Sequence, residues 1–392
     1  MPNKDLDVYV RLQRHLDQQP VGFPATSSGA EIRILKHIFT PEEAAIAACL
    51  SWRPEPLEVI WPRARGLEAS PAALAAVLAR IREKGGLESR EVGNRTLYCN
   101  APLVVGMYEM QVDRLTPEFL RDFNTYTRDR RFGIEFLSTS LPQMRTIPVA
   151  KSIQPRHHAA PFDSVTALLE GASAPFVLLP CICRRKREME GAPCRVTDEK
   201  ETCLAMGDIA RSILSGGAGR EVSRREAMSL IERNQRKGLV LQPSNTERAE
   251  FICSCCGCCC GILDIHQKLP RPLDYWAANF QAVSDPIRCT GCGLCEDRCQ
   301  VGAVQVVKAL EKAVVDLDRC IGCGVCVAGC PSEALALKKK PDPVRPPRNR
   351  EELHERILAG KKGRLTKLKL TGRLVVDAVK TRRTELLKRL VE

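Results

Sequence analysis

The run "CTGCGLCEDRCQ" begins at Cys289, and "CIGCGVCVAGCP" begins at Cys320. Each reads C-x2-C-x2-C-x3-C. Every cysteine of the first returns 31 residues later in the second: Cys289 to Cys320, Cys292 to Cys323, Cys295 to Cys326 and Cys299 to Cys330. A repeat at fixed period marks a duplicated structural unit. Zinc sites take four ligands in two pairs, whereas each half here offers three thiols on one loop and a fourth set apart. A [4Fe–4S] cubane suits that pattern, because each of its four iron corners needs a thiolate. Gly291, Gly293, Gly322 and Gly324 leave room for peptide N–H groups to approach the sulfurs, which helps set the potential. The fourth cysteine reads as the start of a helix, with Pro331 suited to its first turn. The first half carries Gln300 at that place. Between the repeats, "AVQVV" and "AVVDL" read as short strands.

This spacing, over about residues 280–340, resembles the bacterial two-cluster ferredoxins, in which the fourth cysteine ligates the other cluster. The resemblance implies one [4Fe–4S] on Cys289, Cys292, Cys295 and Cys330, and a second on Cys320, Cys323, Cys326 and Cys299. With no long insertion between the repeats, it also implies low-potential, one-electron transfer.

Ten further cysteines lie between the N-terminal region and this module. Cys181, Cys183, Cys194 and Cys203 lie in "VLLPCICRRKREMEGAPCRVTDEKETCLAMGD". Cys253, Cys255, Cys256, Cys258, Cys259 and Cys260 crowd into "FICSCCGCCCGIL". Each group follows an apolar segment that reads as a buried strand, "PFVLLP" and "AEFI". "TCLAMGDIARSIL" and "SRREAMSLIERNQRKG" read as helices, the second opened by a capping box of Ser223 and Glu226. "LVLQP" reads as another strand. The region is therefore a small Cys-rich α/β domain with its cysteines on loops.

Alternation along an extended run puts Cys253 and Cys255 on one face and Cys256, Cys258 and Cys260 on the other, until Gly257 and Gly261 bend the chain. One metal cannot use all of these thiols. Cys181, Cys183, Cys194 and Cys203 suffice for one further cubane. The later six could build another, or share an unusual cluster with the first loop. Arg184, Arg185, Lys186 and Arg187 would stabilise an anionic cluster. Zinc and a metal-free redox thiol pair are the competing readings.

The arrangement "PCICR", "TCL", "GLVLQPSN" and "FICSCCGCCC", followed by the ferredoxin repeats, resembles a family of 4Fe–4S dicluster proteins from anaerobic bacteria and archaea. The resemblance runs over most of residues 1–340 and implies electron transfer in general terms.

The N-terminal third has other physics. "FTPEEAAIAACL" has Thr40 as N-cap, Pro41 at the first helical position and Glu43 three residues after the cap. "PEPLEVI" is a second helical segment. "SPAALAAVLARIREKGGL" is a third, capped by Ser70 and ended by Gly85 and Gly86. "ESREVGNRTLYCN" reads as a hairpin turning at Gly93–Asn94. Three helices and a hairpin suggest a winged-helix-like domain, with Arg80, Arg82, Lys84, Arg90 and Arg95 available to phosphates. Cys49 and Cys99 are single and read as core residues. "TPEFLRDFNTYTRD" looks helical, capped by Thr116. His157 and His158 sit in a loop-like stretch and read as surface or packing residues.

At 392 residues the chain can bury a sizeable core without disulfide staples. The first residues are polar and charged, and no window reaches the roughly 18 apolar residues of a membrane span. These features point to the cytoplasm, where thiols stay reduced and serve metals. Of the net charge of +13, most belongs to the stretch from Lys338 onward, with 18 Lys and Arg against 7 Asp and Glu. "KKKPDPVRPPRNR" reads as an extended basic linker. Beyond it, Leu368, Val375, Val379, Leu386 and Leu390 define one face of a basic amphipathic helix. Such a helix can lie on an anionic membrane, dock on an acidic partner, or pack on its own chain.

The expected architecture is thus α+β. It comprises a winged-helix-like domain over 1–102, a Cys-rich central domain over 103–270, a two-cluster ferredoxin domain over 280–340, and a basic tail over 341–392. The expected function is electron transfer through two [4Fe–4S] clusters and one or two more, to or from a cytoplasmic oxidoreductase partner. A redox-sensing DNA-binding regulator and a reductase with a catalytic central cluster are the alternatives. No G-x-G-x-x-G follows a strand and there is no P-loop, so flavin or NAD would come from a partner.

Overall fold

The computed structural model describes residues 4–139, 141–154, 157–361 and 363–382. Five helices open the chain: α1 (Lys4–Asp17), α2 (Ala30–Ile38), α3 (Pro41–Ala47), α4 (Leu57–Ala64) and α5 (Pro71–Glu83). The Thr40–Glu43 capping box is formed on both sides, and the Ser70 hydroxyl accepts from the Ala73 N–H. Strands β1 (Glu55–Pro56), β2 (Leu87–Val92) and β3 (Arg95–Asn100) form an antiparallel sheet in the order β1-β3-β2. The hairpin turns at Gly93–Asn94, with Gly93 at φ +60°. Leu12, Ile34, Ile46, Leu74, Leu78 and Ile81 are fully enclosed between these elements. Helices α6 (Pro117–Arg128) and α7 (Arg130–Phe136) follow, and Tyr126 joins the same core.

The middle of the chain builds one five-stranded sheet. Helix α8 (Val165–Gly171) leads to β4 (Phe176–Pro180), α9 (Ile182–Met189), β5 (Glu201–Met206) and α10 (Gly207–Ser215). Then come β6 (Arg220–Val222), α11 (Arg224–Arg236), β7 (Val240–Pro243), β8 (Phe251–Cys255) and α12 (Gly261–Lys268). The strand order is β6-β4-β5-β8-β7, and every pairing is antiparallel. The unit therefore mixes helices and strands as expected, but it is not built from parallel βαβ crossovers. Alternation along β4 and β5 divides the faces. Val177, Leu179 and Ala205 pack on Ala210 and Ile213 of α10, while Phe176, Leu178, Leu204 and Met206 face Ala227, Leu230 and Ile231 of α11.

Two local expectations change here. "TCLAMGDIARSIL" is not one helix: its first five residues, Thr202–Met206, belong to β5, and the helix starts only at Gly207. Gly207 at φ +63° turns the chain, and pairing with both β4 and β8 outweighs the helix propensity of Leu, Ala and Met. Ser223 caps α11 through the Glu226 N–H, but the Glu226 carboxylate bonds Arg220 instead of closing the box.

The repeat region forms two short ladders. Strand β9 (Phe280–Ser284) pairs with β12 (Leu335–Lys339), and β10 (Val304–Val307) pairs with β11 (Lys312–Val315). Single-turn helices α13 (Leu294–Asp297) and α14 (Val325–Ala328) carry Cys295 and Cys326. Cys299 and Cys330 follow these helices and lead into turns, so the fourth cysteine does not begin a helix. One apolar core runs from Ile147, Phe176, Leu230 and Ile252 into Phe280, Val301, Ala334 and Leu337.

The basic linker is tied down: the Glu247 N–H bonds the Pro347 carbonyl at 2.8 Å, and the Val344 N–H bonds Asn279 Oδ1 at 2.9 Å. Helix α15 (Arg350–Ala359) buries Leu353 and Ile357, and Arg350 pairs with Glu88 and Glu250. Helix α16 (Arg364–Lys380) packs on its own chain through Leu370 and Leu374, against Leu137 and Leu269. The buried stripe steps from Leu370 to Leu374 to Ala378. Leu368 of the expected face is 71% exposed, and Val375 and Val379 are exposed too. The register is set by cations beside the buried stripe: Lys367 reaches Glu135 and Arg373 reaches Asp274. Leu386 and Leu390 lie outside the described residues. No helix among the described residues is long and apolar enough to cross a membrane.

Candidate metal centres

The repeat survives in three dimensions as a matched set of contacts. The Ala313 N–H points at Cys289 Sγ at 3.3 Å and the Ala282 N–H at Cys320 Sγ at 3.2 Å. The Ala303 N–H reaches Cys299 Sγ at 3.1 Å and the Ala334 N–H reaches Cys330 Sγ at 3.3 Å. Each pair is offset by the sequence period. Gly291 and Gly322 both take positive φ, and a Cβ there would lie 2.4 Å from the Glu311 carbonyl oxygen and 2.1 Å from that of Phe280. No larger residue fits either position.

A hollow lined by Cys289, Cys292, Cys295 and Cys330 sits between the two halves of the repeat, which brings the fourth cysteine of one half to the first three of the other. Cys299 is a near neighbour of Cys320, Cys323 and Cys326. Burial pushes the Cys323 thiol up to about 12, so its thiolate needs a cation beside it. Peptide donors aimed at sulfur, and thiols spread around a hollow, fit a cubane at each position. Cys292 is exposed, whereas Cys323 is half-buried and its carbonyl accepts from Val149.

The ten central cysteines separate into six and four. The sheet gathers most of the six. Cys203 on β5 is the direct partner of Cys253 on β8, and Cys255 lies two residues on, on the same face. Cys181 continues the line of Val177 and Leu179 just past β4. Cys183 lies in the first turn of α9, and Cys260 immediately precedes α12. Their thiols neighbour one another around a closed ring: Cys181 beside Cys183 and Cys203, Cys203 beside Cys253, Cys253 beside Cys255, Cys255 beside Cys260, and Cys260 beside Cys183. The neighbouring Cys253 and Cys260 thiols hold Cys255 down at about 7. Gln242, fully buried, places Nε2 3.8 Å from Cys260 Sγ. The N-termini of α9 and α12 both open at this ring, and their dipoles favour negative charge there.

Cys194, Cys256, Cys258 and Cys259 form the other set, with all four sulfurs within 4.8 Å of one another. The expected quartet of Cys181, Cys183, Cys194 and Cys203 is therefore not brought together. Cys194 follows the turn after α9 and is drawn to the second cysteine run instead. Cys260 also departs from the face shared by Cys256 and Cys258. Strand β8 ends at Cys255, and the turn from Cys256 to Cys260, closed by the Cys260 N–H on the Cys256 carbonyl at 3.1 Å, carries Cys260 back to the ring. Nor are the cysteines all on loops: Cys203, Cys253 and Cys255 lie in strands.

Arg184 lies between the two sets. It is 4% exposed, bonds Thr202 Oγ1 and the Ser254 carbonyl, and comes within 3.6 Å of Cys256 Sγ. Burial opposes its charge, but the fields of Cys181 and Cys256 hold the guanidinium protonated. The neighbouring Cys259 thiol, aided by Arg184, holds the Cys256 thiol down at about 5. Of the basic run that sequence alone singled out, this one residue is buried among the thiols. Lys186 and Arg187 pair with Glu190, and Arg185 with Glu188.

Three basic residues singled out from the N-terminal sequence pair with carboxylates. Arg80 pairs with Glu42, Lys84 with Glu43, and Arg90 with Glu250 and Glu351. Cys99 is buried in the N-terminal unit, and Cys49 donates to backbone carbonyls. His157 accepts from the Gln154 N–H and stands edge-on to Phe280.

Gln300 is the contact that sequence reasoning left unexplained. Its Oε1 accepts from the Gly257 N–H at 2.8 Å, and its carbonyl accepts from Gln267 Nε2 at 2.9 Å. Comparison with known families agrees with the geometry of the repeats: residues 288–334 match the model of the 4Fe-4S dicluster domain. No curated protein and no solved structure matches the chain. Residues 288–334 are thus a segment of ferredoxin-type, iron–sulfur character.

Proposed function

We propose that this chain is a multi-cluster electron relay, in which the two ferredoxin-type clusters exchange electrons with a further iron–sulfur cluster held by Cys181, Cys183, Cys203, Cys253, Cys255 and Cys260. The observation that carries the reading is the six-thiol ring beside the ferredoxin repeats within one continuous core. Electrons enter from a redox partner at Cys292, where Ile287, 93% exposed, and Leu294 give an apolar docking surface. They pass to the cluster on Cys299, Cys320, Cys323 and Cys326, and then inward. The reading places the chain in a reducing compartment, where thiolates stay available to metal.

The N-terminal unit reads as winged-helix-like, on the order β1-β3-β2 with α3, α4 and α5. Its hairpin packs on α10, with the Ser89 N–H on Ser212 Oγ at 3.0 Å. That use of the hairpin favours a role within the chain over one on nucleic acid.

A second reading makes the six-thiol centre a reductase site. It is favoured by a cavity of about 120 Å³, lined by Met110, Leu179, Ile182 and Ile213, that reaches Cys203 and Cys253.

The test is iron and acid-labile sulfide on anaerobically purified chain, with an EPR redox titration. About twelve or more irons and a signal beyond the two ferredoxin clusters support the relay. About eight irons overturn it. A substrate-dependent change confined to the extra signal favours the reductase.

A further inference from the structure

We propose that Cys194, Cys256, Cys258 and Cys259 hold a single tetrahedral zinc ion, separate from every iron–sulfur cluster. The four sulfurs are spaced for one ion. Cys194 Sγ lies 3.5 Å from Cys256 Sγ and 3.9 Å from Cys258 Sγ, and Cys258 Sγ lies 3.7 Å from Cys256 Sγ and 3.6 Å from Cys259 Sγ. Four thiolates at about 2.3 Å from one ion stand about 3.8 Å apart at the corners of a tetrahedron. Thiolates on four separate iron corners stand further apart, because the cube lies between them.

The chain supplies its own comparison. Among the described residues, no other three His, Cys, Asp or Glu ligand atoms come within the same 4.8 Å. That holds for the eight cysteines of the 4Fe-4S dicluster domain and for the six-thiol ring. One quartet alone has the dimensions of a mononuclear site.

The local chain explains why. Cys256, Cys258 and Cys259 share one turn, in which the Cys259 N–H bonds the Cys256 carbonyl at 3.3 Å. Gly257 allows the turn, since a Cβ there would fall 2.3 Å from the Gln300 carbonyl oxygen. Cys194 arrives from the segment after α9 and closes the fourth corner. Four thiolates and a divalent ion leave two negative charges. The buried guanidinium of Arg184, 3.6 Å from Cys256 Sγ and paired with no carboxylate among the described residues, offsets part of that charge. With all four positions filled by protein, the site is closed and structural. It ties the loop after α9 to the turn after β8, and so braces the wall of the six-thiol ring.

Metal analysis and zinc-edge X-ray absorption on the full-length protein, purified without oxygen, test this. The expected result is one zinc per chain with a single shell of four sulfurs at about 2.3 Å and no iron neighbour. Cys194→Ser and Cys258→Ser should each lower zinc occupancy at least tenfold, with iron content and ferredoxin EPR signals at wild-type level. A chain without zinc overturns the assignment, as does full zinc in both variants or iron lost from both. The wild-type absorption spectrum decides even where a variant fails to fold. Zinc and iron are counted separately, so this assignment and the six-thiol cluster can fail independently.

Discussion

The side chain of Gln300 accepts a hydrogen bond from the backbone of Gly257 at 2.8 Å. Gln300 follows Cys299, the fourth cysteine of the first repeat, and Gly257 separates Cys256 from Cys258 of the central quartet. The residue that departs from the expected proline is thus the joint between the two metal regions. Gln300→Ala leaves the Gly257 N–H without this acceptor and is expected to cost about 1–3 kcal/mol. Anaerobic chemical denaturation measures it. The iron bound by the repeats should be unchanged, since Cys299 is untouched.

Cys299→Ser is expected to remove or alter the cluster on Cys320, Cys323 and Cys326 and to spare the one on Cys289, Cys292 and Cys295. Cys330→Ser should do the reverse. EPR of dithionite-reduced variants checks both, because interacting signals collapse to one isolated cubane in each.

Arg184→Met withdraws a buried positive charge from between two groups of thiolates. The oxidised form of the central cluster gains relative stability, so its midpoint potential should fall; each tenfold change in the ratio of forms is about 59 mV for one electron. Arg184→Lys should fall less. The ferredoxin potentials serve as the internal reference in the same titration.

His354 is buried edge-on against Trp52, and burial, with Arg350 and Arg90 nearby, holds its imidazole down at about 3. The unfolded chain takes up a proton near pH 6.5 and the folded chain does not, so stability falls as pH drops from 6.5 towards 3. The slope is on the order of 1 kcal/mol per pH unit. His354→Gln should flatten this dependence, read as the difference in unfolding midpoint between variant and wild type from pH 7 to 5.

Leu374→Ala opens a gap where α16 meets Leu137 and Leu269, and should weaken that docking by about 2–3 kcal/mol. Hydrogen exchange across residues 366–380 should accelerate while residues 288–334 stay protected. Unchanged exchange in the helix would show that its ion pairs, not its apolar stripe, hold it.

Much of this was legible in the order of residues. The caps at Thr40, Ser70 and Thr116, the Gly93–Asn94 turn and the dicluster repeats are local signals, and local signals carry their own geometry. The partition of the central cysteines is not local. Cys203 meets Cys253 because β5 and β8 pair in one register, and no spacing along the chain announces that. The alternation of Cys253 and Cys255 did predict their shared face. It failed at Cys260, because a turn overrides alternation. The tail misled for a related reason: two apolar stripes run along α16, and only the residues facing it choose between them.

The two halves of the repeat match down to individual hydrogen bonds, yet Cys292 is open to solvent while its counterpart Cys323 is covered by the backbone at Val149. A duplicated pair has thereby become a front and a back. Oxidants in solution meet the exposed face first, so the outer cubane stands as the sacrificial member and the inner one as the protected member. Damage should run in that order, and a chain that has lost only its outer cluster would keep its charge but have no door.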